Sequence, residues 1–278
     1  MAVPIPPDSF KLGFIGAGKM AESIAKGVVK SGVLPASSIR TFHSGINRRE
    51  AFSSFGVQIF DSNEQVVKDS DVIVFSVKPQ VLKKVVCEVK PLLSDKKLLV
   101  SVAAGTKLRD LQQWAGSGRF IRVMPNTPAA VNEAASVCIL FSDGLGAAAT
   151  KEDGDLIAKL FGAIGNIWTA DEKHFDVITG LSGSGPAYIF LAIEAMADGG
   201  VAAGLPRDLA LGLSSQTVLG AASMVINSGK HPGQLKDDVA SPGGTTIAGI
   251  HELEKGGFRG ILMNTVVAAA ERSREFSK

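Results

Sequence analysis

Cysteine is nearly missing from this chain of 278 residues: Cys87 and Cys138 are the only two. Two thiols cannot build a disulfide framework or a thiolate metal cluster. Each lies in an apolar or mixed segment and is expected to be a buried thiol in a reducing compartment. Histidine is almost as thin. His43, His174, His231 and His251 are scattered without metal-ligand spacing, and His174 and His251 read as helix-surface residues. No excess of one charge exists either. The 29 Lys and Arg against 27 Asp and Glu leave +2, which gives no electrostatic footprint for nucleic acid. Long apolar runs are also absent. The longest, residues 186–193, stops at Glu194, well short of the roughly 20 residues a bilayer span requires. Gly183-Ser184-Gly185 lacks the G-x-S-x-G frame of a nucleophile elbow. The single tyrosine, Tyr188, is expected in the core. The opening residues, MAVPIPPDSF, carry no basic n-region, no apolar h-region and no Arg/Ser bias. A cytoplasmic protein without membrane or nucleic-acid partners is the expectation.

What the chain does have is a glycine turn near its start. Leu12-Gly13-Phe14-Ile15 reads as a buried strand, Gly16-Ala17-Gly18 as the turn, and Met20, Ile24 and Val28 as one face of the helix that follows. This is the strand, turn and helix of a dinucleotide site. Gly16 permits the tight turn, Gly18 lets the backbone approach a pyrophosphate, and Ala21 stands at the third position of the fingerprint. Free N–H groups at the helix start, together with the helix dipole, favour the phosphates. Strands and helices then alternate. Residues 39–42, 57–60, 72–77, 98–102, 120–124, 136–141 and 166–168 read as strands, and Asp61 to Glu64 caps a helix. The alternation predicts a doubly wound α/β domain over residues 1–170.

Specificity features fall at the strand ends. About 25 residues past the glycine turn, where an NAD site carries Asp or Glu for the ribose 2′-hydroxyl, the chain offers Ser44 followed by Arg48 and Arg49. A hydroxyl and two guanidinium groups suit a 2′-phosphate, so NADPH is preferred over NADH; the alternative is that both arginines are a solvated helix start. The fourth strand ends in Lys78-Pro79, at the carboxyl edge where such sheets bind ligands. Lys78 reads equally as a cofactor contact and as a rim lysine. The tiny residues Ala103-Ala104-Gly105 leave room for a flat ring.

From Asp171 the period becomes helical. Residues 175–181 are helical, Ser182 to Pro186 breaks or kinks the helix, and residues 187–203 are apolar on nearly every side, which signals a helix buried all round. Pro206 suits a first helical position, His231-Pro232-Gly233 a turn, and residues 234–239, 247–255 and 259–277 three further helices. An all-α half this apolar, residues 171–278, is expected to bury its faces against another copy of itself. Within it, Ser241-Pro242-Gly243-Gly244-Thr245-Thr246 forms a second anion cradle. Backbone N–H groups there could grip a carboxylate, and Thr245 or Thr246 could bond a nitrogen; the alternative is that Ser241 merely caps a helix. Asp238 lies near this loop, in a run with Lys236 and Asp237 that otherwise looks solvated.

Three segments carry a resemblance: residues 13–18, Leu181-Ser182-Gly183-Ser184-Gly185-Pro186-Ala187, and the stretch from His231-Pro232-Gly233-Gln234-Leu235-Lys236-Asp237 through Thr246. Together they resemble the pyrroline-5-carboxylate reductases over essentially the whole chain, and most of all the family's plant members. The resemblance implies reduction of 1-pyrroline-5-carboxylate to L-proline with NAD(P)H, the last step of proline synthesis. It implies cofactor contacts at Ile15, Gly16, Ala17, Gly18, Lys19 and Met20, at Ser44 and Asn63 near the adenosine, at Ser76, Val77, Lys78 and Pro79, and at Val102, Ala103 and Ala104 near the nicotinamide. It places the substrate carboxylate on Gly243, Gly244 and Thr245, and Thr246 by the ring nitrogen. Asp238 stands where some relatives carry Asn, and a carboxylate beside an anionic substrate helps only if it faces the iminium. The resemblance also implies an interlocked homodimer through the helical half, assembled to a decamer, with substrate sites completed across the dimer. No metal is implied. A related two-domain reductase of another small carboxylate relies on a catalytic lysine, where this loop carries threonines. A NADPH-binding sensor would have no need of the second cradle.

Overall fold

Short runs of β-branched and aromatic residues become strands because each can be covered on both faces. The computed structural model describes residues 10–139 and 149–276. Its strands are β1 Leu12–Ile15, β2 Ile39–Phe42, β3 Gln58–Ile59, β4 Val72–Phe75, β5 Leu98–Ser101, β6 Phe120–Met124, β7 Ala134–Ile139 and β8 Gly165–Thr169. They form one sheet in the order β3-β2-β1-β4-β5-β6-β7-β8. The first six are parallel, β7 runs antiparallel to β6, and β8 is parallel to β7. The strand order reverses between β1 and β4, so the crevice at their carboxyl ends is the switch point where such sheets take ligands.

The helices of this region are α1 Lys19–Lys30, α2 Ile46–Ser53, α3 Asn63–Lys68, α4 Pro79–Val89, α5 Leu108–Ala115 and α6 Lys151–Gly162, and a short α7, Phe175–Ile178, follows β8. Side-chain alternation along β4 divides the core in two. Val72 and Val74 pack with Ile24 and Val28 of α1 and Ile157 of α6. Ile73 and Phe75 face the other way, with Val66 of α3, Leu82 of α4 and Leu111 of α5. The chain groups into two compact units. One comprises residues up to Ser184 together with Val267 onward; the other is Gly185–Val266.

The second unit holds α8 Gly185–Ala202, α9 Arg207–Ser228, α10 Pro232–Asp238, α11 Thr245–Lys255 and the first turns of α12 Phe258–Glu275. Helices α8 and α9 approach closely where Gly200 meets Ala210; a Cβ on Gly200 would stand 3.2 Å from the alanine methyl. Here the expectation of a helix buried all round is corrected. Of α8 only Ala197 is buried, and of α9 only Ala210 and Ser214. Phe190, Leu191, Leu213, Leu219 and Ile226 lie open, Ile226 at 74% exposure. The sequence called for an apolar cover, and the described residues of a single copy do not supply it.

Other expectations shift for local reasons. Strand β4 stops at Phe75, two residues early, because Ser76 turns its hydroxyl onto the glycine turn. Strand β7 starts at Ala134; residues 140 and 141 of the expected strand lie outside the described residues. Pro206 is the N-cap of α9 rather than its first residue. Helix α10 starts at Pro232, not Gln234, because the His231 ring accepts from the Gly233 N–H at 3.1 Å and so caps it. Helix α11 starts at Thr245 with Gly244 as N-cap, so Ser241 does not cap it. Cys87 is exposed on the outer face of α4, whose Leu82, Val86 and Val89 face inward; only Cys138 is a buried thiol. Tyr188 is half-buried. Two stretches, Glu172–Ala202 and Arg207–Ser228, are long and apolar enough to cross a membrane by length and composition. Unbroken runs are short because charged residues interrupt them, but one or two charges lower the mean hydropathy of a whole helix only slightly.

Candidate active site

The first cradle is built by the β1–α1 turn. Gly16 has φ +96°, a conformation that an L side chain rarely adopts. A Cβ there would meet Val77 Cγ1 at 2.7 Å and the Ser76 backbone at 3.0 Å. Ser76 holds the turn from the next strand, its Oγ donating to the Gly16 carbonyl at 2.5 Å. Gly18 is the N-cap of α1, and no side chain caps that helix. Its first N–H groups therefore remain available to an anion. Ile15 and Ala17 are fully buried supports, whereas Lys19 is exposed and Met20 half-buried.

The residues expected at the adenosine end gather on the edge beyond β2. Ser44 is exposed in the β2–α2 loop, and Asn63 is the first residue of α3, behind a Ser62 cap. Arg48 is engaged rather than solvated, whereas Arg49 lies in a solvated surface pair. Arg48 Nε donates to the Ala17 carbonyl at 2.6 Å, Nη2 lies 2.8 Å from Glu22 Oε2, and the guanidinium sits over the Phe52 ring. Nη2 is buried with Glu22 as its partner; it carries two N–H groups, so one of them beside the turn is left for an incoming oxygen. Arg49 pairs with Asp61 at 3.2 Å. Burial alone would raise the Glu22 carboxyl pKa; hydrogen bonds and charge from Lys26 and Arg48 outweigh it and bring it down to about 2. Glu22 is thus ionised at any working pH and fixes Arg48 over the turn. Sequence reasoning missed Glu22, although its place in the first turn of α1 facing a later arginine was a usable signal.

At the other end of the crevice lie Val77, Lys78 and Pro79. Lys78 is exposed at the N-cap of α4 and Pro79 occupies the first helical position. Val102, Ala103 and Ala104 leave β5 at the same edge of the sheet, Ala103 accepting little solvent and Val102 and Ala104 half-open. All the residues of the first unit expected from the sequence to meet a cofactor, except the outlying Ser44 and Asn63, thus surround the β1–β4 switch point or the next strand end.

The second cradle stands by itself in the second unit. Gly243 has φ +66°, and the Gly244 N–H donates to the Ser241 carbonyl at 3.1 Å. A Cβ on Gly244 would lie 2.6 Å from Ser241 Oγ, so a side chain there would displace the serine. Helix α11 has no side-chain cap, which leaves the N–H groups of Thr245 and Thr246 open to a carboxylate. Thr246, in the second position of the helix, is half-buried and Thr245 exposed. Asp238, the last residue of α10, pairs with Lys230 at 2.8 Å, both about half-exposed. Its charge is balanced without a ligand. No group of metal-ligating side chains occurs among the described residues.

A doubly wound sheet with an uncapped glycine turn at its switch point, joined in one chain to a helical half with its own anion cradle, defines a nicotinamide-nucleotide-dependent reductase. Comparison with known proteins bears this out. Residues 11–105 match the family model described as NADP oxidoreductase, coenzyme F420-dependent, and residues 172–276 that for pyrroline-5-carboxylate reductase dimerisation. A pyrroline-5-carboxylate reductase of Glycine max is 72% identical over 99% of this chain and 98% of its own, and one of Arabidopsis thaliana 71% identical over 99% of both. The crystal structure of a Plasmodium falciparum pyrroline carboxylate reductase with NADP bound superposes with a TM-score of 0.87 at 33% identity, covering 98% of this chain and 100% of that one. The chain belongs to the pyrroline-5-carboxylate reductase family. It is an NAD(P)H-dependent oxidoreductase that takes NADP(H). It forms homo-oligomers, and the dimerisation match falls on the half whose apolar side chains lie open.

Proposed function

We propose that the chain reduces 1-pyrroline-5-carboxylate to L-proline, with NADPH preferred and NADH accepted. What carries this is the pair of uncapped helix N-termini, one beside a buried arginine donor for a 2′-phosphate and one shaped for a small carboxylate. The names of relatives near 72% identity support it. When bound, NADPH supplies the hydride that adds to C5 of the imine, while the ring nitrogen keeps or gains a proton. The chain's own residues bind and orient. The α1 N-terminus and the Gly16–Gly18 turn take the pyrophosphate, Arg48 and Ser44 the 2′-phosphate, and Asn63 the adenosine side. Ser76 to Pro79 and Val102 to Ala104 shape the ring end. Gly243, Gly244 and Thr245 hold the carboxylate, with Ser241 closing that turn, and Thr246 offers its hydroxyl to the ring nitrogen. Asp238, paired with Lys230, stays at the rim of the site. No strong acid stands among these residues, so the proton arrives with the iminium or from water. Positioning alone is worth up to about 7–11 kcal/mol in favourable cases.

The deciding experiment is NADPH oxidation by the purified protein with and without pyrroline-5-carboxylate, repeated with NADH. Oxidation only with the imine, faster with NADPH, is expected. Tight NADPH binding without turnover would discard the substrate. Thr246→Val keeps shape and loses the hydroxyl. Turnover should fall about tenfold, about 1.4 kcal/mol, with NADPH affinity unchanged; activity within twofold would remove Thr246 from the site.

We assign residues 1–170 to the cofactor and residues 171–278 to substrate binding and dimerisation. We also infer that dimers assemble to a decamer, which a solution mass of ten protomers would check. The open apolar faces of α8 and α9 suit a second copy better than a membrane. Free Cys87 and Cys138 suit a cytoplasmic location, which cell fractionation tests.

A further inference from the structure

The chain passes from the first unit to the second through Ser182-Gly183-Ser184-Gly185-Pro186. After α7 the helix widens into one π turn, Thr179–Gly183, closed by the Ser184 N–H on the Thr179 carbonyl at 2.9 Å. In an α-helix the Ser182 carbonyl would accept from residue 186. That residue is proline and has no N–H. The bond comes from elsewhere. Asn126 Nδ2 donates to the Ser182 carbonyl at 3.1 Å, and Asn126 Oδ1 accepts from the Ala135 N–H at 2.9 Å. With a donor on one side and an acceptor on the other, only this orientation of the amide satisfies both partners. Asn126 is 6% exposed and lies two residues beyond β6, at the carboxyl edge of the sheet. The π turn rests on the same edge: a Cβ on Gly183 would stand 3.4 Å from Met124 Sδ. The neighbouring strand, β5, is followed directly by Val102 to Ala104, the expected ring end of the cofactor crevice.

We propose that Asn126 is a positioning residue of the reductase. By supplying the donor that Pro186 withholds, it fixes the Ser182–Ser184 backbone at the carboxyl edge of the sheet, beside the strand that leads to the ring end of the crevice. π turns recur at functional sites because they re-aim backbone at a cost that a packed neighbour must offset, and here the neighbour is one buried amide. No role for Asn126 was legible in the sequence, although a proline four residues after Ser182 announced an orphan carbonyl. The proposal rests on the reductase assignment above only for its kinetic arm.

The test is a double-mutant cycle. Asn126→Asp keeps shape and the acceptor for Ala135 but presents a carboxylate to the Ser182 carbonyl. Pro186→Ala restores an N–H at 186. With Asn126→Asp, the Gly183 and Ser184 amides should exchange hydrogen at least tenfold faster. kcat/KM for the imine should fall about tenfold, with the NADPH dissociation constant within twofold. Adding Pro186→Ala should recover exchange and kcat/KM to within about threefold of the parent. Normal exchange and kinetics in Asn126→Asp, or no recovery in the double variant while Pro186→Ala alone is active, overturns the proposal. Should Asn126→Asp not fold, recovery of folding in the double variant supports the same coupling, and no recovery overturns it. Hydrogen exchange needs no substrate, so failure of the reductase assignment shows separately, as absent turnover in the parent.

Discussion

Glu172→Ala is expected to destabilise the first unit by about 3 kcal/mol, lowering its melting temperature on the order of 10 °C. Arg122 points out of β6 into the core at 3% side-chain exposure, with Glu172 at 2.6 Å and its guanidinium 3.6 Å above the Phe175 ring. Burial pushes its pKa below the ordinary arginine value, against the pull of Glu172, Asp176 and Asp110. The Glu172 carboxylate also accepts from the Leu108 N–H at 2.6 Å and so tethers the start of α5. Removing it strands a buried cation and a backbone donor together. The loss stays at the low end of the range for broken buried pairs because Asp176 and Asp110 still face the guanidinium. Asp176 in turn accepts from Ser273 Oγ at 2.7 Å, which ties the last turns of α12 into the same cluster. Glu172→Gln keeps the acceptor and should cost less. Arg122→Met added to Glu172→Gln should recover most of the stability, since no charge is then buried. Thermal melts of the four proteins check this, and a double variant less stable than either single would refute the buried-charge account.

Gly16→Ala is expected to weaken NADPH binding at least 100-fold, about 2.7 kcal/mol. Two costs combine. At φ +96° the added methyl strains the backbone by roughly 1–3 kcal/mol. It also overlaps Val77 and the Ser76 backbone, so the turn must open and the Ser76 bond to the Gly16 carbonyl must lengthen. Gly18→Ala is the control. Its φ is −74°, and the nearest atom to an added Cβ is 3.9 Å away. The protein alone tolerates it, and only an approaching pyrophosphate would feel the methyl. Gly18→Ala should therefore lose cofactor affinity at unchanged stability, while Gly16→Ala loses both. Fluorescence titration with NADPH, alongside thermal melts, separates the two. Near-normal affinity in Gly16→Ala would mean that the turn is not the phosphate site.

The strands, the glycine turn and the change of period near Asp171 were legible because each is a local matter: a run of β-branched residues, a position that needs glycine, a spacing of apolar side chains. So was the cradle at residues 241–246, though its helix begins two residues earlier than the pattern suggested, because an uncapped Gly244 starts it. His231 read as part of a turn, since a side chain's choice of backbone partner leaves no period in the sequence. The apolar faces of α8 and α9 announced burial, and one copy of the chain leaves them open.

By itself, then, the sequence determined the sheet, its nucleotide-binding turn, the second cradle and the need for a partner surface. Only the tertiary structure decided that Arg48 is held over the turn by Glu22, that Arg122 is buried against Glu172, and that Asn126 completes the hydrogen bonding of Ser182. Those pairings join residues 26, 50 and 56 positions apart. The physical reason is that local pattern reflects what each residue must do with its own backbone and with water. The partner of a buried charge or an orphan carbonyl is set by which strand edges and helix turns the packed core brings together.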